Sequence, residues 1–125
     1  MRHKLLIGLG YLILGALLYS PLFGYLETWP LRIWDEARLA MNAYEMLHNG
    51  NYIVTYYEGE PDLWNTKPPL LIWIQVLCMK FLGIKELALR LPSAIAAFFA
   101  CAGLLFFSVR YLKSFWFGFI AVLVL

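Results

Sequence analysis

Asp35, Glu36, Arg38 and Lys67 are the side chains whose types and spacing point most directly to chemistry. Asp35 and Glu36 are adjacent carboxylates, a residue type that moves protons when its surroundings tune it. Arg38 follows Asp35 by about one helical turn. The pattern opened by Trp34-Asp35-Glu36-Ala37-Arg38 runs to about His48, where Asn49-Gly50 closes it. At about 100° per residue, Asp35, Arg38, Asn42, Glu45 and Asn49 share an arc of roughly 80°, with Leu39, Ala43, Met46 and Leu47 on another side. Glu36 points about 100° from Asp35, towards Ala43 and Leu47. The helix is amphipathic and suits a membrane surface, its polar stripe turned to water or to a polar ligand. Capping accounts for Asp35 as well: an aspartate before a helix is a preferred N-cap, and Trp34 with Leu39 would form the hydrophobic staple. Acids in the first turn also suit the helix dipole. A cap role and a catalytic role are compatible.

Lys67-Pro68-Pro69 is the second feature. Two prolines disfavour helix before them, so a helix begins near Pro69. A lysine at a helix N-terminus opposes the macrodipole unless an anion shares the site. With the free amides of the first turn beside it, the position suits a phosphate. A snorkelling lysine that marks the membrane interface fits the same spacing, so both readings stand. A carboxylate, an arginine one turn on and a phosphate-competent lysine suit a lipid-linked phosphate whose reactive head lies at membrane level.

The elements that must position these residues follow from composition. Of 125 residues, 62% are hydrophobic, 18% aromatic and 14% charged, against about 45–50% apolar and about 25% charged in soluble domains. With a mean hydropathy of +0.69, this excludes a disordered tail and most soluble enzymes. A net charge of +2 is too weak for polyanion capture, so no nucleic-acid partner is expected. Cys78 and Cys101 sit in apolar runs without metal spacing and read as buried small hydrophobes. The two histidines, His3 and His48, belong to no His-x-x-x-His pattern.

Residues 5–26 form an apolar run long enough for the ~30 Å hydrocarbon core. Arg2, His3 and Lys4 precede it, which keeps residues 1–4 in the cytoplasm. A cleaved signal peptide is disfavoured because no Ala-x-Ala-like site follows and Pro21 sits where cleavage would fall. Residues 26–67 hold seven of the eight acids against three bases, net −4, as an extracytoplasmic loop would. The run Leu70 to Gly83 would rise about 21 Å and is interrupted by Gln75 and Lys80, so an interfacial helix at 68–82 is expected rather than a span. Residues 87–109 make the second span, followed by Arg110 and Lys113 in a cytoplasmic turn at 110–113. Residues 114–125 give about 18 Å of apolar helix without a polar anchor, the expected start of a further, truncated span. The loop is thus 27–86, with juxtamembrane helices at about 35–48 and 68–82.

In combination, WDEARLAMNAYEML, an extended stretch with Gly59-Glu60-Pro61, NTKPPLLIWIQVLCMKFLG and ELALRLPSAIAAF resemble the N-terminal part of membrane glycosyltransferases of the GT-C class. The groups in view are the lipid A aminoarabinose transferases and the protein O-mannosyltransferases. The resemblance covers roughly residues 5–125, but only the first portion of a family member. It implies an all-α, multi-pass integral membrane fold of the inner (cell) membrane, here an N-terminal fragment with two juxtamembrane helices in the first extracytoplasmic loop. It also implies a polyprenyl-phosphate sugar donor, a lipid, glycolipid or protein acceptor, and transfer with inversion. Asp35 falls at the position of the catalytic acidic residue, with Glu36 beside it, and Arg38 and Lys67 fall where basic residues hold the lipid phosphate. Leu39 stands where a tyrosine is common and Thr66 where glutamate often precedes the lysine. These departures bear on the acceptor and leave a divalent metal open as a cofactor. A non-catalytic membrane subunit or assembly factor, its loop binding a partner, is the alternative reading of a chain this short.

Overall fold

The computed structural model describes residues 2–32, 34–65 and 68–125. They divide into two compact units, one spanning Leu26–Ser93 and the other built from the segments before and after it.

The flanking unit contains helix α1 (Arg2–Phe23), most of α4 (Glu86–Arg110), and α5 (Phe115–Val124). α1 is apolar on every side, and leucines such as Leu5 and Leu12 are about three-quarters exposed (75% and 73%). Such a helix has no polar face to turn to water. α1 and α4 are both long and apolar enough to cross a membrane, consistent with a membrane protein. α1 stops at Phe23, before the expected position 26, where the chain turns and the Gly24 amide closes onto the Ser20 carbonyl at 3.0 Å. Leu14, Cys101 and Val122 form the buried centre of this unit, and Cys101 there is a free, buried thiol. Gly118 brings α5 so close to α4 that an added Cβ would lie 2.8 Å from Ser108 Cβ. The connecting turn is held by polar contacts: Ser108 Oγ donates to the Ser114 carbonyl at 2.7 Å, and Ser114 Oγ caps α5 by accepting from the Phe117 amide at 3.3 Å.

In the unit Leu26–Ser93, helix α2 (Asp35–Asn49) packs against α3 (Leu70–Leu82) and the first turn of α4. Ala43, Met46 and Ile72 are fully buried, joined by Ala40, Val76, Met79, Ala88 and Leu89. Leu39 and Leu47 pack at the edge of this cluster, so the apolar face of α2 is the one that meets the core. α2 ends where Gly50 takes φ 70°, its amide bonding to the Met46 carbonyl at 3.2 Å, a geometry that favours glycine. α3 has 13 residues, about 20 Å at 1.5 Å per residue, less than the hydrocarbon thickness. Cys78 on α3 is half-buried and free.

Between the two helices lies a small antiparallel ribbon of β1 (Tyr56–Tyr57) and β2 (Glu60–Pro61), with Tyr56 opposite Pro61 and Tyr57 opposite Glu60. Its two-residue turn, Glu58-Gly59, has both φ angles positive (54° and 82°), the geometry that matches the twist of a tight hairpin. So short a ribbon has no stability of its own and docks on α2. The Glu45 carboxylate accepts from the Gly59 amide at 3.2 Å, and Asn42 Nδ2 donates to the Tyr56 carbonyl at 2.7 Å. The ribbon thus covers the middle of the polar stripe, while Asp35 and Asn49 at its ends stay exposed. The stripe's centre, Asn42, is fully buried because the ribbon's polar groups, rather than water, satisfy it.

Candidate functional site

The first turn of α2 starts differently from the expected aspartate cap. Asp35 is the first helical residue, and the cap position belongs to Trp34, at φ 86° and ψ −108°, with no side-chain cap hydrogen bond. The reach-back contact is made by Glu36, whose Oε2 accepts from the Arg32 amide at 2.8 Å. The Ala37 amide bonds to the Arg32 carbonyl at 3.1 Å and the Arg38 amide to the Trp34 carbonyl at 2.9 Å. The Ala37 donor of the turn is thus met from the segment ahead of the helix.

Glu36 is held in turn by Arg90 on α4. Arg90 Nε donates to Glu36 Oε1 at 2.6 Å and Nη2 to Oε2 at 3.1 Å. The remaining donors go to backbone carbonyls: Nη1 to Leu26 at 3.2 Å and Trp29 at 2.7 Å, Nη2 to Pro30 at 3.1 Å. All five guanidinium N–H groups are therefore used, tying the 26–30 segment and the first turns of α2 and α4 together. The Arg90 guanidinium beside Glu36 holds its carboxyl below the usual range.

Arg38 is organised by the ribbon. Its Nε and Nη2 grip the two oxygens of Asp62 at 3.0 and 2.5 Å, the bidentate geometry that suits a guanidinium best. The Asp62 side chain is fully buried and that of Arg38 is 39% exposed. Asn42 Nδ2 adds a bond to Asp62 Oδ2 at 3.0 Å, and the Trp64 amide donates to Oδ1 at 3.2 Å. The Arg38 guanidinium, with the Asn42 and Trp64 donors, holds the Asp62 carboxyl down at about 2. Asp62 in turn raises Arg38 above its ordinary value. The guanidinium also sits 4.9 Å from the centre of the Tyr57 ring.

Asp35 and Arg38 come together on the wall of one cavity of about 570 Å³, shared with Trp34, Tyr57 and Trp64. Glu36 faces a second cavity of about 280 Å³, bordered by Asp35, Gln75, Arg90 and Ser93. There the buried Gln75 donates through Nε2 to the Leu89 carbonyl at 2.9 Å. Asp35 borders both cavities, whereas Glu36 and Arg38 each border one. Lys67 and Thr66 lie outside the described residues. Among the described residues, no three His, Cys, Asp or Glu side chains are grouped to hold a metal ion.

Sequence reasoning did not single out Asp62, Asn42 or Arg90 for these roles. Asp62 and Asn42 meet across 20 residues, and Arg90 reaches carbonyls 60 and more residues away. The one local signal was an arginine opening an apolar run in Arg90-Leu91-Pro92-Ser93, where a charge beside the membrane requires a partner.

The chain is similar to an undecaprenyl phosphate-alpha-4-amino-4-deoxy-L-arabinose arabinosyl transferase of Pseudomonas savastanoi pv. phaseolicola (strain 1448A / Race 6). The two are 35% identical over 89 residues, which make up 70% of this chain and 16% of the relative. It is also 35% identical over 83 residues to a protein of Aquifex aeolicus (strain VF5) described as uncharacterized, covering 65% of this chain and 20% of that one. The chain thus spans a fifth or less of the length of these curated relatives. No family model and no solved structure matches it. The relation to a membrane-linked glycosyltransferase is distant and partial.

Proposed function

We propose that this chain carries the donor-gripping loop of a GT-C-type glycosyltransferase, which moves a sugar from a polyprenyl phosphate to an acceptor hydroxyl at the outer face of the inner membrane. In this reading α1 and α4 belong to a multi-pass bundle, and residues 27–86 form the extracytoplasmic loop. The observation that carries it is the shared cavity of Asp35 and Arg38 at the start of α2, in a chain partly similar to a lipid-linked arabinosyl transferase.

Asp35 acts as general base. It takes the proton of the acceptor hydroxyl as that oxygen bonds to the anomeric carbon, and the bond from that carbon to the phosphate oxygen breaks on the opposite face. The configuration inverts, and polyprenyl phosphate leaves with the bonding pair. Arg38 offers the phosphate its outer N–H edge, because Asp62 already engages the inner one. With the guanidinium charge matched by Asp62, Arg38 works more by fixed geometry than by net charge. Lys67 supplies the positive charge in this scheme. Glu36, committed to Arg90, positions the turn that carries Asp35 rather than acting as a second acid.

The test is Asp35→Asn in the full-length protein reconstituted in vesicles, with the undecaprenyl-phosphate aminoarabinose named for the Pseudomonas relative as donor. Loss of general-base catalysis should lower transfer by about 10²–10⁴ with membrane insertion unchanged. A wild-type rate would remove Asp35 from the reaction.

A further inference from the structure

We infer that the cavity beside Asp35 is a carbohydrate-stacking subsite in which the indoles of Trp34 and Trp64 receive the C–H face of a sugar ring. The inference rests on the transfer reading above and adds to it the residues that hold the ring.

Both indoles line this cavity, yet Trp34 is 85% and Trp64 84% exposed. Side chains this large normally contribute through the area they bury, and these two bury almost none. Trp34 also occupies a backbone conformation (φ 86°, ψ −108°) that a bulky side chain rarely adopts and that costs on the order of 1–3 kcal/mol. Within the unit Leu26–Ser93, Trp34 gains little packing to offset that cost. Its position, one residue ahead of Asp35, sets an aromatic face at the cavity containing that carboxylate.

The polar groups of the cavity fit the same ligand. The charge of Arg38 is matched by Asp62, so Arg38 presents a hydrogen-bond donor edge more than a free cation, while Asp35 presents acceptors. Donors, acceptors and flat apolar faces together suit a polyhydroxylated ring, whose axial C–H groups meet the indoles while its polar substituents meet Asp35 and Arg38. The volume, about 570 Å³, falls within the ~300–1,000 Å³ range of small-molecule sites. Anchoring at the lipid interface also uses tryptophan, but it gives no reason to open the same cavity onto a carboxylate, whose desolvation is costly.

The experiment uses the full-length protein in vesicles with the aminoarabinose donor, varying donor and acceptor concentrations separately. Trp34→Ala and Trp64→Ala should each raise a KM about tenfold or more, with kcat within about threefold and most of the effect rescued by phenylalanine. A rise in the donor KM places the donor sugar on the indoles, and a rise in the acceptor KM places the acceptor's ring there. Trp34→Gly relieves the backbone and removes the platform, so it should leave thermal stability equal or higher while raising KM as alanine does. Unchanged KM values in both alanine variants, with Asp35→Asn inactive, would overturn the subsite and leave the transfer reading standing. Wild-type turnover by Asp35→Asn would instead overturn both. Quenching of Trp34 and Trp64 fluorescence by brominated lipid, with no protection by donor, would make them membrane anchors and also overturn the subsite.

Discussion

Replacing Arg90 by glutamine removes five hydrogen bonds at once: two to Glu36 and three to the carbonyls of Leu26, Trp29 and Pro30. Hydrogen bonds to charged groups contribute about 1.5–3 kcal/mol each when well protected. Here the side chains of Arg90 and Glu36 are 17% and 28% exposed. Water can therefore rehydrate the freed carbonyls and part of the Glu36 carboxylate, and solvent screening lowers the total. A net loss of about 2–3 kcal/mol for opening the first turn of α2 follows, which is about 30- to 150-fold in the local equilibrium. Hydrogen exchange on the reconstituted protein reads this directly, because the Arg32 amide is bonded to Glu36 and the Ala37 amide to the Arg32 carbonyl. Peptides covering 32–38 should exchange faster by that factor, while the α2–α3 core around Met46 and Ile72 keeps its protection. Glu36→Gln should give a smaller loss, and the double variant should be clearly less than additive, since both act through one contact. Protection at 32–38 unchanged within about threefold in Arg90→Gln would refute the hub.

Two further outcomes follow from the same contacts. Asp62 has a carboxyl value depressed from 3.8 to about 2 in the fold. The hold of the ribbon on α2 is therefore fully present above about pH 4 and is lost as pH falls through about 2. Trp64 emission followed in an acid titration should move in that window, and a transition centred near pH 5 would contradict the Arg38–Asp62 lock. In the flanking unit, Gly118→Val would drive atoms into Ser108 and Leu105 at contacts already below 3 Å for a bare Cβ. It should cost about 1–3 kcal/mol by overpacking, seen as a lower melting temperature in detergent; an unchanged melting temperature would refute the close approach.

Local rules carried the reading of α2 at one end and not at the other. Its stop at Asn49-Gly50 was legible because glycine alone takes φ 70° cheaply. Its start departs from the expected aspartate cap: Trp34 takes the cap position, and Glu36, held by Arg90 some 54 positions away, is the side chain that reaches back to the Arg32 amide. The polar stripe was visible as periodicity, but periodicity cannot say what covers a stripe. Asp62 and the ribbon cover it through contacts 20 and more residues apart. Asp35 and Arg38 share a cavity because one helical turn separates them, a relation the spacing carries. That Trp34 and Trp64 border it depends on the docked ribbon and on the strained backbone at Trp34, neither of which leaves a mark in spacing.

Photo-crosslinking tests the central claim most directly. A polyprenyl-phosphate sugar with a photoreactive group next to its phosphate, activated in vesicles holding the full-length protein, would be mapped by mass spectrometry. If the cavity beside Asp35 grips the donor's head, labels fall within residues 34–64 and are competed away by unlabelled donor. Labels confined to α1 and α5, or insensitive to competition, would contradict it.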